Sequence, residues 1–204
     1  MRQRRLKNLA GWILVSTVTG IMRRLSAMLT LLCLCLCACS KSNDLAELRN
    51  AASQGDATAQ ASLAWKHLKG HGVPQDDKKA IQWYTKAAVQ GNARAQNNLG
   101  ELYTKGDGVS RDDKEALKWY TKAAKQGYAF SQATLAKIYH QGKGVTQDNI
   151  HAHAWYHLAE LNGHEESARL RKQLETLMTP YEITSARELS STLTAPHPAG
   201  DKEK

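Results

Sequence analysis

Residues 83–92 read WYTKAAVQGN, and residues 119–128, one period of 36 later, read WYTKAAKQGY. A degraded third copy, WYHLAELNGH, follows at 155–164. The intervening segments keep the same phase: ATAQASLA (57–64), ARAQNNLG (93–100) and AFSQATLA (129–136), then GHGV (70–73), GDGV (106–109) and GKGV (142–145). One period before Trp83, ELRNAASQGD supplies a half repeat ending at Gly55. A fixed period of this length marks a stacked architecture in which each unit is one supersecondary element.

Each unit is helical twice over. Ala93, Gln96, Leu99, Gly100 and Tyr103 recur at steps of three, three, one and three, one face of a 3.6-residue period, and Ala116, Trp119, Tyr120, Ala123 and Ala124 do the same in the second half of the unit. Gly106 and Gly108 free the backbone between the two helices, and the glycine of QGN or QGY fits the left-handed position just past the second. Small Ala and Gly then face bulky Trp and Tyr where the helices cross. The phase divides the chain into a half repeat (45–55), repeats at 56–91, 92–127 and 128–163, and capping helices over 164–193.

The composite A-x-A-Q-x-x-L-G-x-x-Y-x-x-G-x-G-V, followed by D-x-x-x-A-x-x-W-Y-x-K-A-A-x-x-G, closely resembles the Sel-one-like repeat of the tetratricopeptide superfamily. The resemblance covers residues 45–193 and implies an all-α, right-handed superhelical solenoid of antiparallel helix pairs. A lone pair cannot bury its apolar face, so stacking makes the core and the terminal helices shield its ends. MTPYEITSARELSSTL (178–193) resembles the family's capping helix, with Thr179 as N-cap, Pro180 at the first helical position and Glu182 completing a capping box. The tail TAPHPAGDKEK (194–204) has nothing to pack and is expected to be disordered.

All four cysteines, Cys33, Cys35, Cys37 and Cys39, precede the repeats, in LLCLCLCACS (31–40). Two apolar runs, 9–22 and 25–38, flank Arg23 and Arg24; each is shorter than the roughly 20 residues a spanning helix needs and within the length of a signal-peptide apolar region. Translation from Met22 gives a complete secretory signal, so residues 1–38 are expected to be removed. LCAC (36–39) resembles the lipobox of bacterial lipoproteins. That implies lipidation of Cys39, a linker over 39–44 and, from Ser40 in place of Asp, an outer-membrane address. Several acyl chains at one residue hold stably where one holds only marginally. A metal cluster fits poorly, since C-x-C-x-C-x-C lacks the paired C-x₂₋₄-C spacing of zinc sites.

The net charge of +9 first suggests a nucleic-acid partner. Six of the 28 basic residues lie before Cys39 against no acid, however, which leaves 22 basic and 19 acidic residues, an ordinary balance that calls for no nucleic acid. The glycine loops follow a helix rather than a strand and lack the third glycine of a phosphate fingerprint. His153 and His157 are four apart, but His153 takes the slot of Ile81 and Leu117, a packing position, and His157 that of Thr85 and Thr121. A cysteine-rich branch of the family is associated with penicillin binding and β-lactamase activity. This chain has no S-x-x-K, S-D-N or K-T-G and no cysteine within the repeats, and Ser53, Ser62 and Ser131 have no phased base.

A non-enzymatic binding surface remains, without metal or other cofactor. By resemblance to tetratricopeptide arrays, variable positions on each first helix line a concave groove: Thr58, Ala61, Trp65 and Leu68; Arg94, Asn97, Glu101 and Thr104; Phe130, Ala133, Lys137 and His140. Aromatic and basic residues mixed in a groove suit peptide anchoring. Trp65, Arg94, Asn97, Glu101, Phe130, Lys137 and His140 are the candidate contacts of a protein partner. Trp65 could instead pack on Leu45 and Leu48, and Phe130 between repeats. The expected protein is a monomeric, lipid-anchored, periplasm-facing scaffold. The resemblance also leaves two rivals, a penicillin-recognising enzyme and a surface-exposed factor acting on host cells.

Overall fold

The computed structural model describes residues 44–193, and over these the regular structure is all helix, joined by short loops. The signal segment, Cys39 and the tail from Thr194 lie outside the described residues. Helix α1 covers 44–53, so Asp44, expected in the linker, is helical. Three antiparallel pairs follow: α2 (Ala57–Lys69) with α3 (Asp77–Val89), α4 (Ala93–Lys105) with α5 (Asp113–Lys125), and α6 (Ala129–Gln141) with α7 (Asn149–Leu161). Helices α8 (Glu165–Glu175) and α9 (Pro180–Leu193) both pack on α7 and close the stack. None of the described helices is long and apolar enough to cross a membrane.

Local signals in each unit start and stop the helices. Asp56 and Asn92 cap α2 and α4 by accepting from the backbone N–H groups of Ala59 and Ala95; Asp76, Asp112 and Asp148 do the same for α3, α5 and α7. Gly106 ends α4 at φ +78°, in the left-handed region that costs glycine least. At α9 the capping box forms as expected: Glu182 Oε2 accepts from the Thr179 N–H at 2.7 Å, and the Glu182 N–H donates to Thr179 Oγ1 at 3.3 Å.

Two apolar clusters fill the stack. One joins α2 to α5 through Ala64, Tyr84, Ala88, Leu99 and Trp119; the other joins α5 to α8 through Tyr120, Leu135, Trp155, Tyr156 and Leu174. Close crossing depends on small residues, and a Cβ on Gly100 would sit 2.7 Å from the Tyr120 ring. Burial pushes the Tyr84, Tyr120 and Tyr156 hydroxyls up to about 12, so these rings stay neutral.

A polar ladder ties each unit to the one before it. Gln60, Gln96 and Gln132, all buried, donate to the carbonyls of Ala52, Ala88 and Ala124 eight residues upstream. Their own Oε1 atoms accept from the side-chain amides of Gln90, Gln126 and Asn162, thirty residues downstream. A buried amide left unpaired is costly, so this arrangement fixes the register of adjacent pairs while satisfying the glutamines.

Candidate protein-interaction groove

The variable positions of the first helices form a row along α2, α4 and α6, and the structure distributes them unevenly. Trp65 is half-buried and meets His71 edge-on, ring centroids 4.8 Å apart. Together with Leu68, Tyr84 and Leu102 it forms the apolar wall of a cleft of about 360 Å³. Glu101, Lys105, Asp107, Asp77 and Lys69 supply the cleft's charges. Asn98 Nδ2 donates to the Tyr84 hydroxyl at 2.8 Å inside it. Glu101 leans toward Lys105 at 3.7 Å.

Other candidates lie away from that cleft. Arg94 and Lys137 are exposed. Phe130 is 62 % exposed, which rules out burial between repeats; it stands 5.8 Å from the Tyr128 ring and edge-on to His164 at 5.5 Å. His140 is half-buried, its Nδ1 3.2 Å from Asn149 Oδ1, and lines a separate hollow of about 100 Å³ with Tyr156, Leu170 and Leu174.

Asn97 is corrected. It is 5 % exposed, and its Oδ1 accepts the Ser131 hydroxyl at 2.8 Å while its Nδ2 donates to Glu101 at 3.0 Å. A buried amide with both ends committed joins α4 to α6 and orients Glu101, but offers a partner little surface.

Among the cleft residues that the variable row does not include, Gln75 and Asp107 come from loops and Asp77 from the start of α3. Gly108, at φ +70°, lets the loop after α4 fold against the start of α3; a Cβ there would meet Asp77 Cβ at 2.7 Å. Asp107 therefore lies beside Asp77. Comparing the loops at the 36-residue period, His71, Asp107 and Lys143, would have exposed the charge change, but not the approach to Asp77.

His153 takes the packing role its slot implied. It is fully buried, and its Nε2 lies 2.8 Å from Glu175, which also accepts from Arg171; Arg171 in turn reaches Glu160 at 3.0 Å. Burial pulls its titration below 6.5, so at neutral pH an uncharged imidazole donates to Glu175 and leaves Nδ1 without a partner. Among the described residues no three His, Cys, Asp or Glu side chains converge as a metal site.

The family model for the Sel1 repeat matches residues 57–92, 93–128 and 129–164, three consecutive units over more than half of the chain. The chain belongs to the Sel1 repeat family. Its fold is similar to the crystal structure of a Sel1 repeat protein from Oxalobacter formigenes, at 37 % identity and TM-score 0.60, over 64 % of this chain and 98 % of that one. It is also similar to a protective antigen present in uropathogenic Escherichia coli strains, which displays an SLR fold, at 30 % identity and TM-score 0.56. That match covers 72 % of this chain and 39 % of the antigen. No curated protein is significantly similar in sequence. Sel1 repeat proteins generally act as non-enzymatic protein–protein interaction scaffolds.

Proposed function

We propose that this Sel1 repeat protein is a membrane-tethered scaffold of the bacterial envelope, anchored by lipid at Cys39, that holds a segment of another protein along its first-helix row. The observation that carries the reading is the contrast between a constant frame and a changing surface. Gln60, Gln96 and Gln132 repeat their bonds from unit to unit, while Trp65, Glu101 and Lys137 occupy one equivalent position with three chemistries. A frame that holds its register while the row varies suits recognition of an extended segment or helix.

The test is cross-linking capture from native membranes with the full chain and with a variant carrying Arg94→Ala, Glu101→Ala and Lys137→Ala. Loss of the captured protein with unchanged helix content supports the groove; undiminished capture counts against it. Cys39→Ser is expected to move the protein out of the membrane fraction and to abolish labelling by a fatty-acid probe, and unchanged fractionation would remove the lipid anchor.

A second reading places the groove on the cell surface, facing a host. The similarity to a protective antigen favours it. Protease treatment of intact cells separates the two: cleavage supports surface display, and full protection supports a periplasm-facing scaffold.

A further inference from the structure

The two boundaries between complete repeats share one backbone frame and differ in charge. At the first, Gly108 sets the loop that carries Asp107 against Asp77, both aspartates line the cleft, and Gln75 reaches Asp77 only weakly, at 3.5 Å. Among the described residues neither Asp77 nor Asp107 has a Lys or Arg nitrogen within ion-pair range. At the second boundary, one period on, Gly144 brings its loop against Asp113, but there Arg111 replaces Gln75 and Lys143 replaces Asp107. Arg111 grips Asp113 through Nε at 3.0 Å and Nη2 at 2.8 Å. The chain thus contains its own neutralised version of the first site.

The unneutralised version opens onto the cleft. Trp65 provides an aromatic wall, Tyr84 and Asn98 satisfy each other on its inner side, and Asp77 and Asp107 supply the uncompensated negative charge, since Glu101 already meets Lys105 and Asn97. Two lysines also border it, but Lys105 already leans toward Glu101, and Lys69 lies in the last turn of α2, where the carbonyl end of the helix favours a cation. A cation beside an indole and between carboxylates is favoured twice, by the ring quadrupole and by the opposite charges. Its volume, about 360 Å³, is at the small end of ligand pockets, the scale of one long side chain with its flanking backbone.

We propose that this cleft is the anchor point of the groove and selects an arginine or lysine side chain of the bound segment. The inference rests on the groove reading and adds its chemical preference. The second boundary, with Arg111, Lys137 and Lys143, does not accept a basic residue.

The test uses the full chain, isotope-labelled, and two short flexible peptides identical but for one central residue, arginine in one and its neutral isostere citrulline in the other. The arginine peptide is expected to shift the NMR signals of the Trp65 indole and of the Asp77, Glu101 and Asp107 amides, and to bind at least ten-fold more tightly than the citrulline peptide. Its affinity should fall as salt rises. Asp77→Asn with Asp107→Asn should lower that affinity at least ten-fold without changing helix content. Equal binding of the two peptides, shifts confined to other residues, or no shift at millimolar peptide would each overturn the inference. Selection from a random peptide library on the same protein separates the two levels. Enrichment of neutral or acidic segments at the groove would overturn the basic anchor and keep the groove reading; enrichment of nothing would overturn both.

Discussion

The first and second repeat boundaries are built alike and charged unlike. Both set a loop glycine against the first residue of the preceding second helix, and both carry the buried glutamine bond across the boundary. At the first, Trp65 and Glu101 face a pair of aspartates; at the second, the same positions hold Glu101 and Lys137 beside Arg111 and Lys143. The difference shows how a repeat protein divides its labour: apolar and amide contacts that must recur hold the register, and positions outside that lattice can change without loss of the stack.

The largest expected effect comes from the glycines. Gly108→Ala and Gly144→Ala both incur left-handed strain, about 1–2 kcal/mol. Only Gly108→Ala also drives a Cβ to 2.7 Å from Asp77, an overpacking cost of about 1–3 kcal/mol, whereas at Gly144 the approach is an ordinary 3.4 Å. Urea unfolding should therefore rank Gly108→Ala clearly below Gly144→Ala, and equal midpoints would break the asymmetry between the boundaries. The ladder should show no such asymmetry. Gln96→Leu and Gln132→Leu each delete two side-chain hydrogen bonds, about 0.5–1.5 kcal/mol apiece, and the two losses should agree in the same measurement.

Acid should act at the third unit. The slot filled by Ile81 and Leu117 holds His153, and burial keeps its titration below 6.5. A histidine that takes up its proton more readily unfolded than folded costs stability as pH falls below 6.5. The Glu175 carboxyl is also held low, first by its bond with His153, so its contribution is present above 4.5 and is lost in stronger acid. Both terms therefore destabilise on acidification, in successive windows. His153→Leu should flatten the decline between pH 7 and pH 5.5 in thermal melts; an unchanged slope would show that His153 does not titrate on unfolding.

The smallest change in stability is expected from Gln75→Arg, which installs at the first boundary the arginine that the second already has. The melting midpoint should stay put, since the analogous Arg111 and Asp113 lie at the surface, where ion pairs are weak. Peptide titration should nevertheless show several-fold weaker binding of the arginine probe, because Asp77 then has a partner of its own.

Most of the fold was legible in the chain. Period, glycine turns, cap residues and the capping box at Thr179 are local features, and local hydrogen bonds and dihedral preferences do not need the rest of the molecule. The row of variable positions was legible too, because constant and changing residues separate once the repeats are aligned. Its geometry was not. Asn97 varies with its row yet is buried, as Ala61 and Ala133 are at the equivalent positions, and its partner Ser131 lies 34 residues further on. The packing role of His153 was visible in its slot, but Glu175 and Arg171 were not, because they lie on α8, which follows no repeat.

The sequence alone therefore determined the helix pairs, their spacing, where each begins and ends, and which positions are free to differ. Tertiary structure alone decided which free positions face a common space. Asp77 and Asp107 stand 30 residues apart in the chain, and only the fold of the Gly108 loop against α3 brings them together beside Trp65. Secondary structure follows from interactions within a few residues, whereas a charged cleft follows from the placement of whole helices, and that placement is set by the packing of side chains distant in the chain.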